Sequence, residues 1–282
     1  MKKFRSLLFS TTPFFLALAM QFVAVYYLFF IAAIFLFGIA PVVKGTTYNE
    51  TDLFTLSMDM NFNTIASILF SVFCTAFFAI WYYRNCGGDL KINVLKRFHI
   101  LEVLGIVLLV PGAQFMSSIV TSIVSTVFPS WLEDYMELME TAGLSGEIPV
   151  LMIIYSVLLA PISEEFIFRG VTLRLACRAF PFWVANIIQA LLFGIFHMNP
   201  LQGCYTFVVG LFLGYICQKG GTLYHAILFH LLFNLWGTTM SEFLVVENVV
   251  LQGLIIIVGT ILGTLGGILL LQKGGQCKAK LS

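Results

Sequence analysis

Long apolar runs, separated by short polar segments, dominate this chain of 282 residues. Several of them reach the roughly 20 residues that a helix needs to cross a lipid bilayer. The chain is 60% hydrophobic and 10% charged, whereas about a quarter of the residues of a soluble globular protein are charged. We therefore expect an all-α fold, a polytopic membrane helix bundle with about eight transmembrane helices. The predicted spans are residues of about 13–39, 63–83, 99–127, 149–178, 181–199, 201–217, 221–240 and 249–271.

Basic residues lie almost entirely in one of the two sets of loops between these spans. With eight crossings and the first residue on the inner side, only Lys44 of the 15 lysines and arginines lies in an outer loop, and Arg169 lies within a span. Because basic residues are retained on the cytoplasmic side of a membrane, both termini are predicted to be cytoplasmic. Short loops and the lack of an organelle-targeting signal indicate an integral protein of a bacterial cell membrane.

Two further patterns predict a helix-packing face and a helix that lies along the membrane surface. Three glycines recur every four residues in the last span, which is typical of a close helix-packing face; they are Gly259, Gly263 and Gly267. Between residues 128 and 147, apolar side chains at helical spacing alternate with acids and predict an amphipathic helix on the outer membrane interface. These apolar side chains are Trp131, Leu132, Tyr135, Met136 and Met139.

Ionisable side chains within the predicted spans are few, and such groups are costly in a bilayer and tend to mark function. In the segment PISEEFIFRG, residues 161–170, Glu165 and Arg169 are four residues apart and can pair on one helix face. A salt bridge that only locks two helices together explains these two residues but not Glu164. Glu164 points about 100° away from Glu165 around the helix, so it is a candidate general base.

Two other segments supply candidate partners for Glu164. FGIFHMN places Phe193 and His197 one helical turn apart, and HLLFN does the same for His230 and Asn234. At 1.5 Å per residue, Glu164, His197 and Asn234 lie about 20–22 Å from the inner ends of their spans, and His230 near 14 Å. A carboxylate can activate water, two imidazoles can hold that water or a metal ion, and an amide can stabilise an oxyanion. Together they indicate a hydrolase, although one such histidine alone is more often a polar contact between helices.

The remaining ionisable groups in the spans have simpler interpretations. His225 is about 140° from His230 around the helix and is expected to face elsewhere. His99 and Glu102 lie near the cytoplasmic end of the third span, where we expect water to reach them. None of these three is therefore counted as a site residue.

The three polar segments carry the motifs E-E-x-x-x-R, F-x-x-x-H and H-x-x-x-N, in this order and on successive spans. With them the chain, over about residues 150–240, resembles the CPBP intramembrane protease family. That family contains CAAX proteases, or type II CAAX endopeptidases, and bacteriocin-processing and lysostaphin-resistance-like proteins. No motif position departs from the pattern, and the signal is specific because all three motifs are present together.

The resemblance implies an endopeptidase with its active site inside the bilayer. By position, Glu164 is the water-activating base, His197 and His230 position the water or a metal, and Asn234 stabilises the oxyanion. Glu165 belongs to the same catalytic set, and Arg169 and Phe193 support its geometry. Zinc or another divalent metal, if one is bound, is held by Glu164, His197 and His230; a metal-free glutamate mechanism fits the same residues, and both remain open.

The resemblance also divides the chain, which we expect to form one membrane domain overall. Residues 1–148 hold the N-terminal transmembrane helices and the amphipathic interfacial segment. Residues 149–240 form the catalytic core of the CPBP type. Residues 241–282 hold the last transmembrane helix and a basic cytoplasmic tail.

The implied partners are the lipid bilayer and a peptide or small membrane-associated protein substrate, with no nucleic acid. The motif H-E-x-x-H is absent and no aspartate lies within a span, which argues against a zincin and a presenilin-like protease. Two alternatives of other classes remain. One is a non-catalytic bacteriocin-immunity or peptide-binding membrane protein, and the other is a transporter that relays protons through its buried Glu and His residues.

Overall fold

The computed structural model describes residues 2–45, 47–57, 59–87, 97–142, 144, 148–240 and 246–281, without the side chains of residues 2–6, 44, 57 and 277–281. Within these ranges all regular structure is helical and there is no β-strand. The side chain of Lys44 lies outside the described residues. So do those of the basic residues in the segments 2–6, 88–96 and 277–281.

Ten helices follow one another in the described ranges. The first, α1, is Lys2–Ile34 and continues through a π-helical turn, Phe35–Ile39, into Ala40–Lys44. The others are α2 (Glu50–Ser57), α3 (Met60–Asn85), α4 (Ile100–Val127), α5 (Pro129–Thr141), α6 (Val150–Cys177), α7 (Phe182–Phe196), α8 (Pro200–Gly220), α9 (Leu223–Thr239) and α10 (Val249–Leu281).

Helices occupy all eight predicted spans, and six of those in the described ranges are long and apolar enough to cross a membrane. The exceptions are α7, which is apolar but has 15 residues, and α9, which has 17. Fifteen residues extend for about 22 Å, less than the roughly 30 Å of a hydrocarbon core. The polytopic all-α membrane bundle is therefore confirmed, while the eight crossings and the cytoplasmic termini stay predictions.

Helix α6, which carries the two adjacent glutamates, is irregular. Two π-helical stretches, Ile154–Leu159 and Phe166–Thr172, flank a short α-helical stretch, Ala160–Glu165. In the second stretch the Thr172 hydroxyl donates to the carbonyl of Ile167, five residues back, and so supplies a hydrogen bond to this wider turn. A π-helical turn changes the direction around the helix axis in which the following side chains point. The two stretches therefore affect the directions of Glu164, Glu165 and Arg169, and such turns are frequent at functional sites.

The close approach of α10 to α4 depends on glycines of both helices. A β-carbon on Gly263 would lie 2.8 Å from the Gly112 backbone, and one on Gly267 would lie 2.8 Å from the Gly105 carbonyl oxygen. A β-carbon on Gly259 would overlap the Phe115 ring. The prediction that the three glycines of the last span form a packing face is thus confirmed.

Helix α4 begins with a buried polar contact to α9. Glu102 caps the helix by accepting from the His99 backbone nitrogen at 2.9 Å, and its Oε2 also lies 3.1 Å from His225 Nε2. Thr222 Oγ1 lies 2.7 Å from the other ring nitrogen of His225. The expectation that water reaches Glu102 is wrong, since Glu102 and His225 are both fully buried. This contact ties the start of α9 to α4.

The amphipathic segment forms helix α5, and none of its side chains is buried. Its Tyr135 hydroxyl lies 3.4 Å from that of Tyr205 on α8. The helix is present where the pattern predicts it, and its place at the outer interface stays a prediction.

Candidate active site

A buried ion pair joins consecutive turns of α6. Arg169 Nη1 donates to Glu165 Oε1 at 2.8 Å, and both side chains are fully buried. The second terminal nitrogen of Arg169, Nη2, donates to the Gly210 carbonyl of α8 at 3.3 Å. The guanidinium carbon also lies 4.3 Å from the centre of the Phe193 ring of α7, a cation–π contact. Arg169 thus links three helices around Glu165.

His230 of α9 lies between the two glutamates. Its Nδ1 is 2.8 Å from Glu165 Oε1, and its Nε2 is 3.7 Å from Glu164 Oε2. Because Glu165 is ion-paired with Arg169 and acts as an acceptor, Nδ1 carries the hydrogen. Nε2 is then an acceptor that faces Glu164. The Glu164 side chain is 15% exposed, whereas that of Glu165 is fully buried. The two adjacent carboxylates therefore have different surroundings.

His197 is held at the end of α7 in a similar way. Its Nδ1 lies 2.8 Å from the Phe193 carbonyl oxygen. A carbonyl oxygen only accepts, so Nδ1 is the donor and Nε2 is left as an acceptor. The Phe193 ring stands perpendicular to both imidazoles, with its centre 4.8 Å from that of His197 and 5.8 Å from that of His230. Phe193 thus separates and orients the two histidines.

The connection after His197 is short and well defined. Met198 has a φ of 57°, in the left-handed region, which turns the chain away from α7. Asn199 then caps α8 by accepting from the Gln202 backbone nitrogen at 2.9 Å, and Pro200 occupies the first helical position. His197 is therefore fixed at the point where two antiparallel helices meet.

Asn234 follows His230 by one turn of α9 and bonds to α6. Its Nδ2 donates to the Ser156 carbonyl at 2.8 Å, in the first π-helical stretch. An amide nitrogen carries two hydrogens, and this bond uses one of them. Asn234 is thus attached to the helix that carries both glutamates.

The structure brings Glu164, Glu165, Arg169 and His230 into one cluster, with Phe193 against it. His197 lies on the Phe193 ring and, among the described residues, forms no ion pair with Glu164. Within the residues that the structure describes, no three His, Cys, Asp or Glu side chains are placed to hold a metal ion. The set Glu164, His197 and His230 therefore does not fit a three-ligand metal site as it is arranged here.

Three polar contacts of the site were missed from the sequence. Gln189 Nε2 donates at 2.9 Å to the Gly210 carbonyl, the same oxygen that accepts from Arg169. The same nitrogen of Gln189 lies 2.7 Å from Asn186 Oδ1, and the Ser156 carbonyl holds Asn234. Gln189 precedes Phe193 by one turn, so a search of the spans for buried amides as well as ionisable groups would have found it.

The fold defines a polytopic membrane protein, and its helices bring two carboxylates and an imidazole together at this cluster. Residues 146–236, which include all three motifs, match the model of a family described as type II CAAX prenyl endopeptidase Rce1-like. This match confirms the resemblance to the CPBP family of CAAX proteases that the motifs indicate, over this segment of the chain. Comparisons with curated proteins and with solved structures give no match.

Proposed function

We propose that this protein is an intramembrane endopeptidase that hydrolyses a peptide bond with a water molecule activated by Glu164. The observation that carries the proposal is the position of His230 between two carboxylates, one ion-paired and buried and the other partly exposed. A contact that only joined helices would need Glu165 and His230 but not Glu164. Glu165 is used by Arg169 and His230, so Glu164 is the carboxylate available to act on water.

The water-binding position lies between Glu164 and His230. Their nearest polar atoms, Glu164 Oε2 and His230 Nε2, are 3.7 Å apart, too far for a good direct hydrogen bond. One water molecule can donate a hydrogen to each of these two acceptors. Glu164 then takes one proton as the hydroxyl attacks the carbonyl carbon of the substrate.

Glu165 and Arg169 hold His230 ready for this step. The ion pair keeps Glu165 an acceptor, and Glu165 in turn keeps the hydrogen of His230 on Nδ1. A carboxylate that fixes the tautomer and orientation of a histidine is a common arrangement in enzyme sites. Glu165 and Arg169 are therefore positioning residues.

The second half of the reaction uses Asn234, His197 and the proton taken by Glu164. The Asn234 hydrogen that is not bonded to Ser156 stabilises the negative charge on the carbonyl oxygen. His197 Nε2, an acceptor, orients the N–H of the substrate chain. Glu164 returns its proton to the leaving nitrogen as the C–N bond breaks, which yields a carboxylic acid and an amine and leaves Glu164 as a carboxylate again.

The substrate enters a site built on membrane-embedded helices, so we propose an extended peptide segment. A short peptide, or the membrane-proximal end of a small membrane-associated protein, meets this requirement. The matched family is named for CAAX prenyl endopeptidases, and a prenylated C-terminal peptide is therefore the first substrate to test. We place the protein in a bacterial cell membrane with both ends of this chain on the cytoplasmic side, as the distribution of basic residues favours.

The decisive experiment compares membranes from cells that express the parent, Glu164→Gln or the control Glu133→Gln, which changes an exposed carboxylate on α5. We expect peptidomics to find at least one peptide that appears with the parent and the control and is missing with Glu164→Gln. If the protein is instead a non-catalytic immunity or peptide-binding protein, cells with Glu164→Gln behave like cells with the parent. The peptide profiles of the parent, Glu164→Gln and Glu133→Gln are then the same. That result would overturn the proposal.

A further inference from the structure

The carbonyl of Ser156 has no backbone donor in its own helix, and the reason is a proline. In the π-helical stretch Ile154–Leu159, the Ala160 N–H donates to the Tyr155 carbonyl, five residues back. The next residue, which would donate to Ser156 in the same pattern, is Pro161, and proline has no N–H. The missing bond thus follows from both the wide turn and Pro161.

The side chain of Asn234 fills this gap from another helix. Its Nδ2 donates to the Ser156 carbonyl at 2.8 Å, and its amide has no other hydrogen-bond partner within the described ranges. The bond is part-buried and lies in a membrane-spanning helix, where a carbonyl without a donor is costly, so the Ser156 carbonyl has a strong requirement for it. The amide plane of Asn234 is therefore set by α6.

We propose that Pro161 is a positioning residue for Asn234. By removing the backbone donor, it leaves the Ser156 carbonyl to one hydrogen of the Asn234 amide and directs the other hydrogen at the oxyanion. This inference rests on the proposed function for its catalytic part, because it takes Asn234 as the oxyanion donor. Pro161 also lies three residues before Glu164, so one stretch of α6 places both the general base and the holder of the oxyanion donor.

The variant Pro161→Ala restores an N–H at this position. We expect that N–H to bond to the Ser156 carbonyl, so that the Asn234 amide loses its partner and its fixed orientation. The control is Pro111→Ala, which restores an N–H within α4, outside the site. Pro161→Ser supplies the same N–H and replaces Pro161→Ala if that variant does not accumulate.

The first measurement is the cleavage of a farnesylated CAAX peptide with a quenched fluorophore by purified protein. We expect Pro161→Ala to lower kcat by about 10- to 100-fold, because a misplaced catalytic group acts on the chemical step. KM stays within about twofold of the parent, since substrate binding does not use Pro161. Asn234→Ala lowers kcat at least as much, and Pro161→Ala has no further effect on it. Equal kcat for Pro161→Ala, Pro111→Ala and the parent would overturn the inference.

The second measurement needs no substrate, and so separates this inference from the proposed function. Asn234→Ala is introduced into the parent and into Pro161→Ala, and the four proteins are melted in the same detergent. In the parent the substitution leaves the Ser156 carbonyl without a donor. In the other background residue 161 provides one, so the loss in Tm is smaller. If the Tm losses are equal in the two backgrounds, the contact is not controlled by Pro161. If no protein cleaves the peptide but the losses differ, the positioning contact stands and a farnesylated CAAX peptide is not the substrate.

Discussion

His230 donates the hydrogen on Nδ1 to Oε1 of Glu165 across 2.8 Å, and Glu165 is the glutamate that Arg169 also holds. This relationship assigns different work to two residues that are adjacent in the sequence. Glu165 is committed to Arg169 and His230, whereas Glu164 faces the other nitrogen of His230 at 3.7 Å. The proposed role of Glu164 in activating water follows from this division.

The ion pair should be a requirement for stability. Glu165→Gln or Arg169→Ala leaves one buried charge unpaired, which is expected to cost about 3–5 kcal/mol of unfolding free energy. Expression level and Tm in detergent measure this loss. Arg84→Ala, which removes an exposed arginine at the end of α3, is the control and should melt like the parent. If Arg169→Ala also melts like the parent, Arg169 does not have this role.

The two histidines of α9 should differ in what their loss affects. His225→Ala removes a partner of the buried Glu102 and is expected to lower stability by about 1–3 kcal/mol, with activity kept per folded molecule. His230→Ala leaves the site without the group that faces the water and is expected to lower kcat by at least about 100-fold. Tm and specific activity are measured on both proteins. A catalytic loss for both histidines at equal Tm would contradict the separation.

Removal of metal ions should leave activity in place. The proposed mechanism uses no metal ion. As they are arranged here, Glu164, His197 and His230 do not fit a three-ligand metal site. We therefore expect cleavage to continue after dialysis against a chelator. Metal content is measured on the same sample by mass spectrometry. About one equivalent of zinc, together with a reversible loss of cleavage on chelation, would show that a metal takes part.

The glycines between α4 and α10 should be sensitive to a single methyl group. In Gly263→Ala the new β-carbon lies 2.8 Å from the backbone of Gly112, so the helices must move apart. The expected loss is about 1–3 kcal/mol, as for other overpacked cores. Gly253→Ala on the same helix meets nothing within 4 Å and is expected to be neutral or slightly stabilising. Equal Tm values for the two variants would mean that this interface is loose.

The sequence predicts local geometry of the site better than contacts between helices. The pairing of Glu165 with Arg169 depends on spacing along one helix, and the divergence of Glu164 follows from the same rotation. The contact of His225 with Glu102 and that of Asn234 with Ser156 depend on how separate helices rotate and approach one another. The pattern of apolar residues within one helix does not contain the rotation or the approach of another helix.

The irregularity of α6 shows the same limit. The apolar pattern of the span at about 149–178 is compatible with a regular helix and does not locate the wide turns. The π-helical stretches 154–159 and 166–172 arise where Pro161 and the buried contacts of Arg169 favour a wider turn. Such a preference depends on tertiary partners. Pro161 is the local sequence feature that follows the first stretch.

The most direct test of the account is the cleavage rate of Glu164→Gln, measured with Tm on the same purified sample and a farnesylated CAAX peptide as substrate. Glutamine keeps the size of the side chain but cannot take a proton from water. We predict a kcat lower by at least about 100-fold at a Tm equal to that of the parent. Cleavage at the rate of the parent by a folded Glu164→Gln protein would contradict the claim that Glu164 activates the water.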